Sequence, residues 1–382
     1  MWALVNVQLR DGTGLALERG GILVDDQGRI AAVEPGLVPP AGAAVVDGGG
    51  LLCLPGFIDA HSHIGLTTAG ETLGWQDVNE ETDPVTADIR ALDGINPADP
   101  DLAVALAHGV TAAFVTPGSA NVIGGLGATV RLWGAGVEEM LLVPAAGMKA
   151  ALGENPVRVH GREHHRRPAT RPGTAAVLRE WLERARRYAA DPPRGAREWD
   201  PRLEALGMVI RREVPLRVHC HRADDIRTAH RLAREFRLRW VIDHGTEAHR
   251  LVEEIRTWEV PVVTGPSFAT RSKAELRDMG FHTPARLAAA GVPVAIASDH
   301  PVVPSAYLGV YAGLAVAEGM PYGAALAALT TVAAEVTGVG DRLGRLERGY
   351  DADLVLWEGD PLASLQARVK AVWLAGRLVH EG

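Results

Sequence analysis

Apolar positions in residues 1–52 come in short runs, at Ala3–Leu9, Gly21–Val24, Arg29–Val33 and Ala44–Val46, separated by Asp11-Gly12 and Asp26-Gln27-Gly28. Runs of that length between turn residues predict strands. The same texture returns at Ala352–Trp357, Val369–Leu374 and, past Ala375-Gly376, Arg377–Val379. Two β-rich ends around a different middle predict one small β-sandwich domain built from both termini, residues 1–52 and 343–382.

In residues 53–342 apolar strands alternate with helical periodicity, which predicts βα units and a parallel sheet. Eight strands are expected: Gly56–His63, Val110–Thr116, Thr129–Trp133, Met148–Leu152, Leu216–His221, Trp240–His244, Val260–Thr264 and Val292–Ser298. Met140–Val143 competes for strand status with the third and fourth. Helices are expected at Pro100–His108, Ala175–Ala190, Pro201–Glu213, Ile226–Phe236, Glu247–Trp258 and Pro284–Ala290. This middle, roughly 290 residues, compares with the roughly 250 typical of an eightfold barrel. The expected fold is therefore α/β, a (β/α)8 TIM-like barrel carrying the small sandwich. Residues 191–199 read as a connection, 154–173 as a solvated basic loop, and Gly124-Gly125-Leu126-Gly127 as a flexible turn near the barrel mouth.

Composition narrows the picture. An apolar fraction of 47% is ordinary for a globular protein. A net charge of −8 argues against a general nucleic-acid or acidic-membrane partner. Two cysteines, Cys53 and Cys220, are too few for a disulfide framework. The N-terminus lacks the pattern of a signal peptide, and no apolar run reaches the roughly 18 residues a bilayer span needs. These features predict a soluble cytoplasmic protein.

The chemistry-bearing residues lie at predicted strand ends. In Pro55-Gly56-Phe57-Ile58-Asp59-Ala60-His61-Ser62-His63 a period of two sends Phe57, Asp59, His61 and His63 to one face, with Ile58, Ala60 and Ser62 on the other. Two neutral imidazoles side by side can hold a divalent metal. His219 and His221 share the inward face of their strand, with Cys220 toward the helices. His219, deeper, is the candidate ligand, and His221, nearer the mouth, is placed to contact substrate. His244 ends the next strand in the same way. Asp299 stands at the rim of the last, placed to ligate a metal and to accept a proton from water. Lys149 points into the barrel, where an unpaired ammonium is costly to bury. Carboxylation by carbon dioxide would turn it into a bridging ligand, and Glu154, just past the strand, could bridge unmodified.

Taken together, Pro-Gly-Phe-Ile-Asp-Ala-His61-Ser-His63, His219, His244 and Ser298-Asp299-His300, closed by Gly349-Tyr-Asp351-Ala352-Asp353-Leu354, resemble the amidohydrolase superfamily, and more narrowly its imidazolonepropionase-related and cyclic-amidase-like members. The resemblance covers nearly the whole chain. It implies a barrel with one or two divalent ions, zinc being the expected metal, at the C-terminal mouth. His61 and His63 would bind the buried metal, His219 and His244 the second, and Asp299 the first while shuttling the proton. Carboxylated Lys149 or Glu154 would bridge. Where imidazolonepropionases carry an acidic or amide residue after the fifth-strand histidine, this chain has Cys220-His221-Arg222.

The activity so implied is hydrolysis of a non-peptide C–N bond in a cyclic amide, urea or N-acyl substrate. Arg271 and Lys273, beyond the seventh strand, could hold a substrate carboxylate or stand as solvated charges. Rival readings are a dipeptidase or N-acyl-amino-acid hydrolase, a one-metal deaminase, and a non-catalytic barrel scaffold. The expected partner is a small-molecule substrate, and a homodimer is the assembly that a barrel of this kind suggests.

Overall fold

A computed structural model describes residues 1–70, 76–191 and 199–382. Most of the connection expected over 191–199 therefore lies outside the described residues. The first five strands, β1 (Trp2–Arg10), β2 (Ala16–Val24), β3 (Ile30–Pro35), β4 (Ala44–Asp47) and β5 (Leu52–Pro55), build the small sheet. The barrel sheet follows with β6 (Phe57–Ser62), β7 (Val110–Val115), β8 (Ile123–Arg131), β9 (Leu141–Ala151), β10 (Leu216–Cys220), β11 (Trp240–His244), β12 (Val262–Thr264) and β13 (Val294–Ile296). The chain then returns to the small sheet through β14 (Leu354–Glu358), β15 (Arg368–Leu374) and β16 (Arg377–Glu381).

The small sheet runs β16-β15-β14-β5-β1-β2-β3, with β4 beside β1. It wraps a core of its own, in which Leu4, Val7, Leu9, Ile22 and Val24 meet Leu354, Leu356 and Trp373. Stacking of Trp2 on Trp373, 5.4 Å between ring centres, ties β1 to β15 across that fold. The chain passes from this sheet to the barrel at Gly56, whose N–H donates to Asp353 O (3.0 Å) while the next N–H donates to Gly109 O (2.9 Å).

Barrel strands run in sequence order from β6 to β13. Closure comes just beyond β13, where Asp299 N–H donates to His61 O and His63 N–H to His300 O, both 3.0 Å. The floor is packed with small or branched inward residues, Ile58, Ala60, Ala112, Val241, Val263, Ala295 and Ala297, against Ala333, Ala334 and Val336 of the helix Thr331–Val336. Such filling makes the barrel a packed core rather than a pore. Longer helices cover the outside, among them Arg171–Ala190, capped by Thr170, and Pro201–Ile210, capped by Asp200. Among the described residues no helix is long and apolar enough to cross a membrane.

Four expectations need correction. Residues 154–173 are not simply a solvated basic loop, since Glu154–Pro156 and Val157–Glu163 are helical and His160 is buried. The barrel sheet is not wholly parallel, because β8 pairs antiparallel with both β7 and β9. Met140–Val143 is not a rival of the fourth strand: Met140 ends a short helix and Leu141–Val143 begin β9, one strand of eleven residues. The glycines at 124, 125 and 127 lie inside β8 rather than in a flexible turn. A Cβ on Gly125 (φ +125°) would meet Ile89 O at 2.4 Å, and one on Gly127 would meet the Phe114 ring at 2.5 Å. Glycine lets this strand slide beneath its neighbours.

Candidate metal centre

The strict alternation expected for the first barrel strand holds only in part. Phe57 packs outward near Trp357 (5.6 Å), and Asp59 accepts hydrogen bonds from Ser305 Oγ (2.7 Å) and Ser298 N (3.1 Å), whereas Ile58 and Ala60 line the barrel floor. Pairing with β7 slips between Asp59 and Ser62, and this irregularity returns His61 to the interior. Burial pushes the Asp59 carboxyl up to about 6, against the hydrogen bonds it accepts.

Inside the mouth His61 Nε2 lies 3.1 Å from Lys149 Nζ and 3.5 Å from Asp299 Oδ1. Its Nδ1 faces Asp243 Oδ2 at 3.1 Å. His63 Nδ1–H donates to Thr116 O (2.6 Å), which leaves Nε2 as the lone-pair nitrogen, 3.1 Å from Asp299 Oδ1. His244 is built in the same way: Nδ1–H donates to Gly265 O (2.7 Å), and Nε2 is buried without a partner. Neither ring nitrogen of His219 has one. Ligand atoms of His61, His244 and Asp299 all lie within 4.8 Å of one another, and so do those of His219, His221 and Glu275.

His244 reaches this cluster against its strand parity. Ile242 faces the outer core while Val241 joins the floor, so a regular residue 244 would point outward. Its φ of +71° swings it inward. A left-handed backbone costs a residue with a Cβ roughly 1–2 kcal/mol, and such strain collects at functional sites.

Electrostatics keeps His61, His219, His221 and His244 neutral. Burial first, then Lys149 for His61, His244 for His219 and Lys273 for His221, holds these three well below the usual histidine range. Burial likewise lowers His244. Burial alone would raise the Asp299 carboxyl, but His244, His63 and His61 outweigh it and hold it low. The Lys149 ammonium is pushed down to about 8 by burial, against the pull of Asp243 and Asp299. Buried, neutral nitrogens with unshared lone pairs beside one ionised carboxylate are a donor set suited to a divalent cation.

Two other expected residues stand apart. Glu154 meets the cluster only through its backbone N–H, which donates to Glu275 Oε2 (3.0 Å), and its carboxylate joins neither group. Arg271 spends its guanidinium on Arg277 O and Met279 O, both 2.9 Å. Lys273 does reach the mouth, 2.9 Å from Glu275 Oε1, 3.0 Å from Asn155 Oδ1 and 3.5 Å from His221 Nε2.

The sequence reading missed Arg217, Asp243 and Glu275. Arg217 is wholly buried, donates to Asp243 Oδ1 (2.7 Å) and Ala60 O (2.8 Å), and lies over the Phe114 ring at 4.3 Å. Its position two residues before His219 on one strand was the available signal. Asp243 adjoins His244, and parity alone would have sent it inward. Glu275 sits in a short 3-10 turn, Ala274–Leu276, and carries no sequence signal beyond its charge.

Comparison with known proteins adds the following. A model described as the amidohydrolase family matches residues 205–380. An amidohydrolase of known structure from Thermotoga maritima MSB8 is 40% identical over the whole of both chains, with a TM-score of 0.95. Amidohydrolase tasK of Hapsidospora irregularis is 33% identical over 405 residues, 96% of this chain but 40% of that protein, so the chain spans less than half of its length. An imidazolonepropionase of Stenotrophomonas maltophilia (strain R551-3) is 25% identical over 420 residues, all of this chain and 96% of that protein.

Proposed function

This chain belongs to the amidohydrolase family of hydrolases acting on carbon–nitrogen bonds, and from that premise we propose that it is a metal-dependent hydrolase of a non-peptide C–N bond in a cyclic amide, urea or N-acyl substrate. The observation that carries the reading is the set of buried nitrogens with nothing to bond, both of His219 and Nε2 of His244, beside His61 and Asp299. Orphaned polar atoms in a protein interior call for a partner. A cation fits this set.

In this proposal His61, His63 and Asp299 would hold one ion and His219 and His244 a second, with His244, 4.4 Å from His219 between ring centres, standing next to both sets. Zinc suits the nitrogen-rich donors. A divalent metal, when bound, polarises the scissile carbonyl and acidifies water. Lys149, 3.1 Å from His61 Nε2, would offer a carboxylate ligand if its amine added to carbon dioxide, forming an N–C bond and releasing a proton. Asp299 takes the proton of the attacking water and delivers it to the departing nitrogen. His221 and Lys273 line the mouth and would contact substrate. Lys273 is also the feature that favours a second reading, an N-acyl-amino-acid hydrolase, because a substrate carboxylate could pair with it.

The test is metal analysis together with turnover. Protein purified in zinc-containing buffer should hold about two equivalents and hydrolyse some member of a panel of cyclic amides, acyl-amino acids and dipeptides. Bicarbonate should promote metal uptake by the wild type and not by Lys149→Met. Metal content below about 0.2 equivalents would sink the reading.

A further inference from the structure

At the other end of the barrel lies a second concavity, of about 760 Å³. Pro215, Trp240, Pro261 and Pro293, where β10 to β13 begin, line it, so it opens opposite the histidine cluster. Its volume is in the range of small-molecule sites.

Three features distinguish it from an ordinary surface hollow. The first is charge. On the surrounding helices several guanidiniums close ion pairs, as in Arg211–Glu213 (2.7 Å), Arg227–Glu254 (2.5 Å) and Arg256–Glu253 (3.1 Å). Around this cavity Arg212, Arg234, Arg237 and Arg239 have no carboxylate within 4.0 Å among the described residues. Of the two acids in the lining, Glu335 is drawn to Arg345 (3.5 Å). Arg239 donates to Arg212 O (3.3 Å), and the four arginines together give this rim a local positive charge.

The second feature is aromatic. His230 stacks on Trp258, 3.9 Å between centres and 11° between planes, and Trp240 lies 6.4 Å from Trp258. His230 Nδ1 is buried without a partner.

The third is the backbone. Helices Pro201–Ile210, Ala223–Phe236 and Val252–Trp258 all end at this rim, and each is followed by a left-handed residue: Arg212 (φ +64°), Arg237 (φ +55°) and Glu259 (φ +53°). Glycine is the usual residue for such a helix stop. Arg212 and Arg237 hold that backbone at a conformational penalty, and their charge offsets the negative helix ends gathered at this rim.

We propose that this cavity binds a nucleoside phosphate, its base against the Trp240–Trp258–His230 wall and its phosphate on Arg212, Arg234 and Arg237. Guanidinium forks match phosphate oxygens in charge and geometry, and tryptophan faces stack aromatic rings. The site lies away from the metal cluster, so the test needs no turnover.

Metal-loaded protein is titrated with adenosine monophosphate, read by tryptophan fluorescence and calorimetry, with adenosine and inorganic phosphate as separate arms. Saturable binding of the nucleotide is expected, tighter than either fragment. The variant carrying Arg212→Gly and Arg237→Gly should weaken it by about tenfold or more, while its thermal midpoint stays level or rises because glycine suits the left-handed backbone. That pairing separates lost binding from lost folding. No saturable nucleotide binding, phosphate binding as tightly as the nucleotide, or unchanged affinity in the double variant would each overturn the proposal.

Discussion

The residue with most leverage over the centre is one that touches no candidate substrate. Asp243 faces His61 Nδ1 at 3.1 Å and is braced from behind by Arg217, both at 0% exposure. Burial works to raise the Asp243 carboxyl, but Arg217 and His61 overcome it and hold it well below the carboxylate range. An ionised Asp243 fixes the His61 proton on Nδ1 and turns the Nε2 lone pair toward the cluster. Asp243→Asn should therefore weaken metal binding about 10–100-fold, measured by competition with a chelating dye. Arg217→Met leaves a buried charge unpaired, at a cost of about 3–5 kcal/mol. The double variant should be more stable in urea than Arg217→Met alone, and a double variant that is less stable would remove the pairing argument. His160 offers a second residue-scale test, remote from the cluster. Its Nε2–H donates to Asn121 Oδ1 (2.8 Å), and its Nδ1 accepts from Arg166 Nε (3.0 Å). Burial, then the Arg166 guanidinium, lowers its pKa to about 4. Because the unfolded chain protonates near 6.5 and the folded one resists down to about 4, stability is full above 6.5 and is lost as pH falls through that window. The urea midpoint should thus fall between pH 7 and pH 4 by more in the wild type than in His160→Gln.

At the scale of elements, some parts of the fold could be read from the pattern and others could not. His61, His63, His219 and Asp299 were legible because an apolar strand with a polar end is a local signal, and the strand ends of a barrel converge. Six of the barrel strands were likewise found as apolar runs between breakers, whereas β8 was met only at its end, Thr129–Arg131, and β9 only in its second half, because the glycines of β8 read as a turn. The direction of β8 was hidden. Antiparallel pairing there depends on glycines that tolerate the approach of Ile89 and Phe114, a contact formed by residues distant in sequence. The inward turn of His244 was hidden too, because it reverses strand parity through one dihedral angle. That angle yields its own prediction. With the ring removed in both variants, metal-free His244→Gly should be more stable than His244→Ala by about 1 kcal/mol, read from urea unfolding. If alanine were equally tolerated, the left-handed backbone would not be strained.

Across the whole molecule, sheet and barrel are joined by charge as well as by chain. Arg131, the last residue of β8, reaches Asp351 at 2.7 Å and Asp353 at 2.9 Å, just before β14 enters the small sheet. Asp351 also pairs with Arg342 at 2.6 Å, and Asp353 Oδ1 accepts the Ala375 N–H at 2.7 Å, so one guanidinium organises the return of the C-terminal strands. Burial opposes the charge on Arg131, but the two aspartates raise its pKa. This explains why the tail Gly-Tyr-Asp-Ala-Asp-Leu carries two acids where the core of a sheet is entered. Neither aspartate is more than 6% exposed. Arg131→Met would leave Asp353 without a counter-charge and Asp351 with Arg342 alone, and the loss should be about 3 kcal/mol or more. The manner of unfolding discriminates further. While the bridge holds, sheet and barrel should unfold together in one transition whose slope reflects the full surface exposed. Without it the small sheet should open first, giving a shallower urea transition or two separated ones, with near-ultraviolet signals of Trp2 and Trp373 lost before those of the barrel tryptophans. A variant that unfolds in one step of unchanged slope would show that Leu52, Leu54, Val355 and Trp357, packed into the barrel-side core, couple the two parts without help from charge.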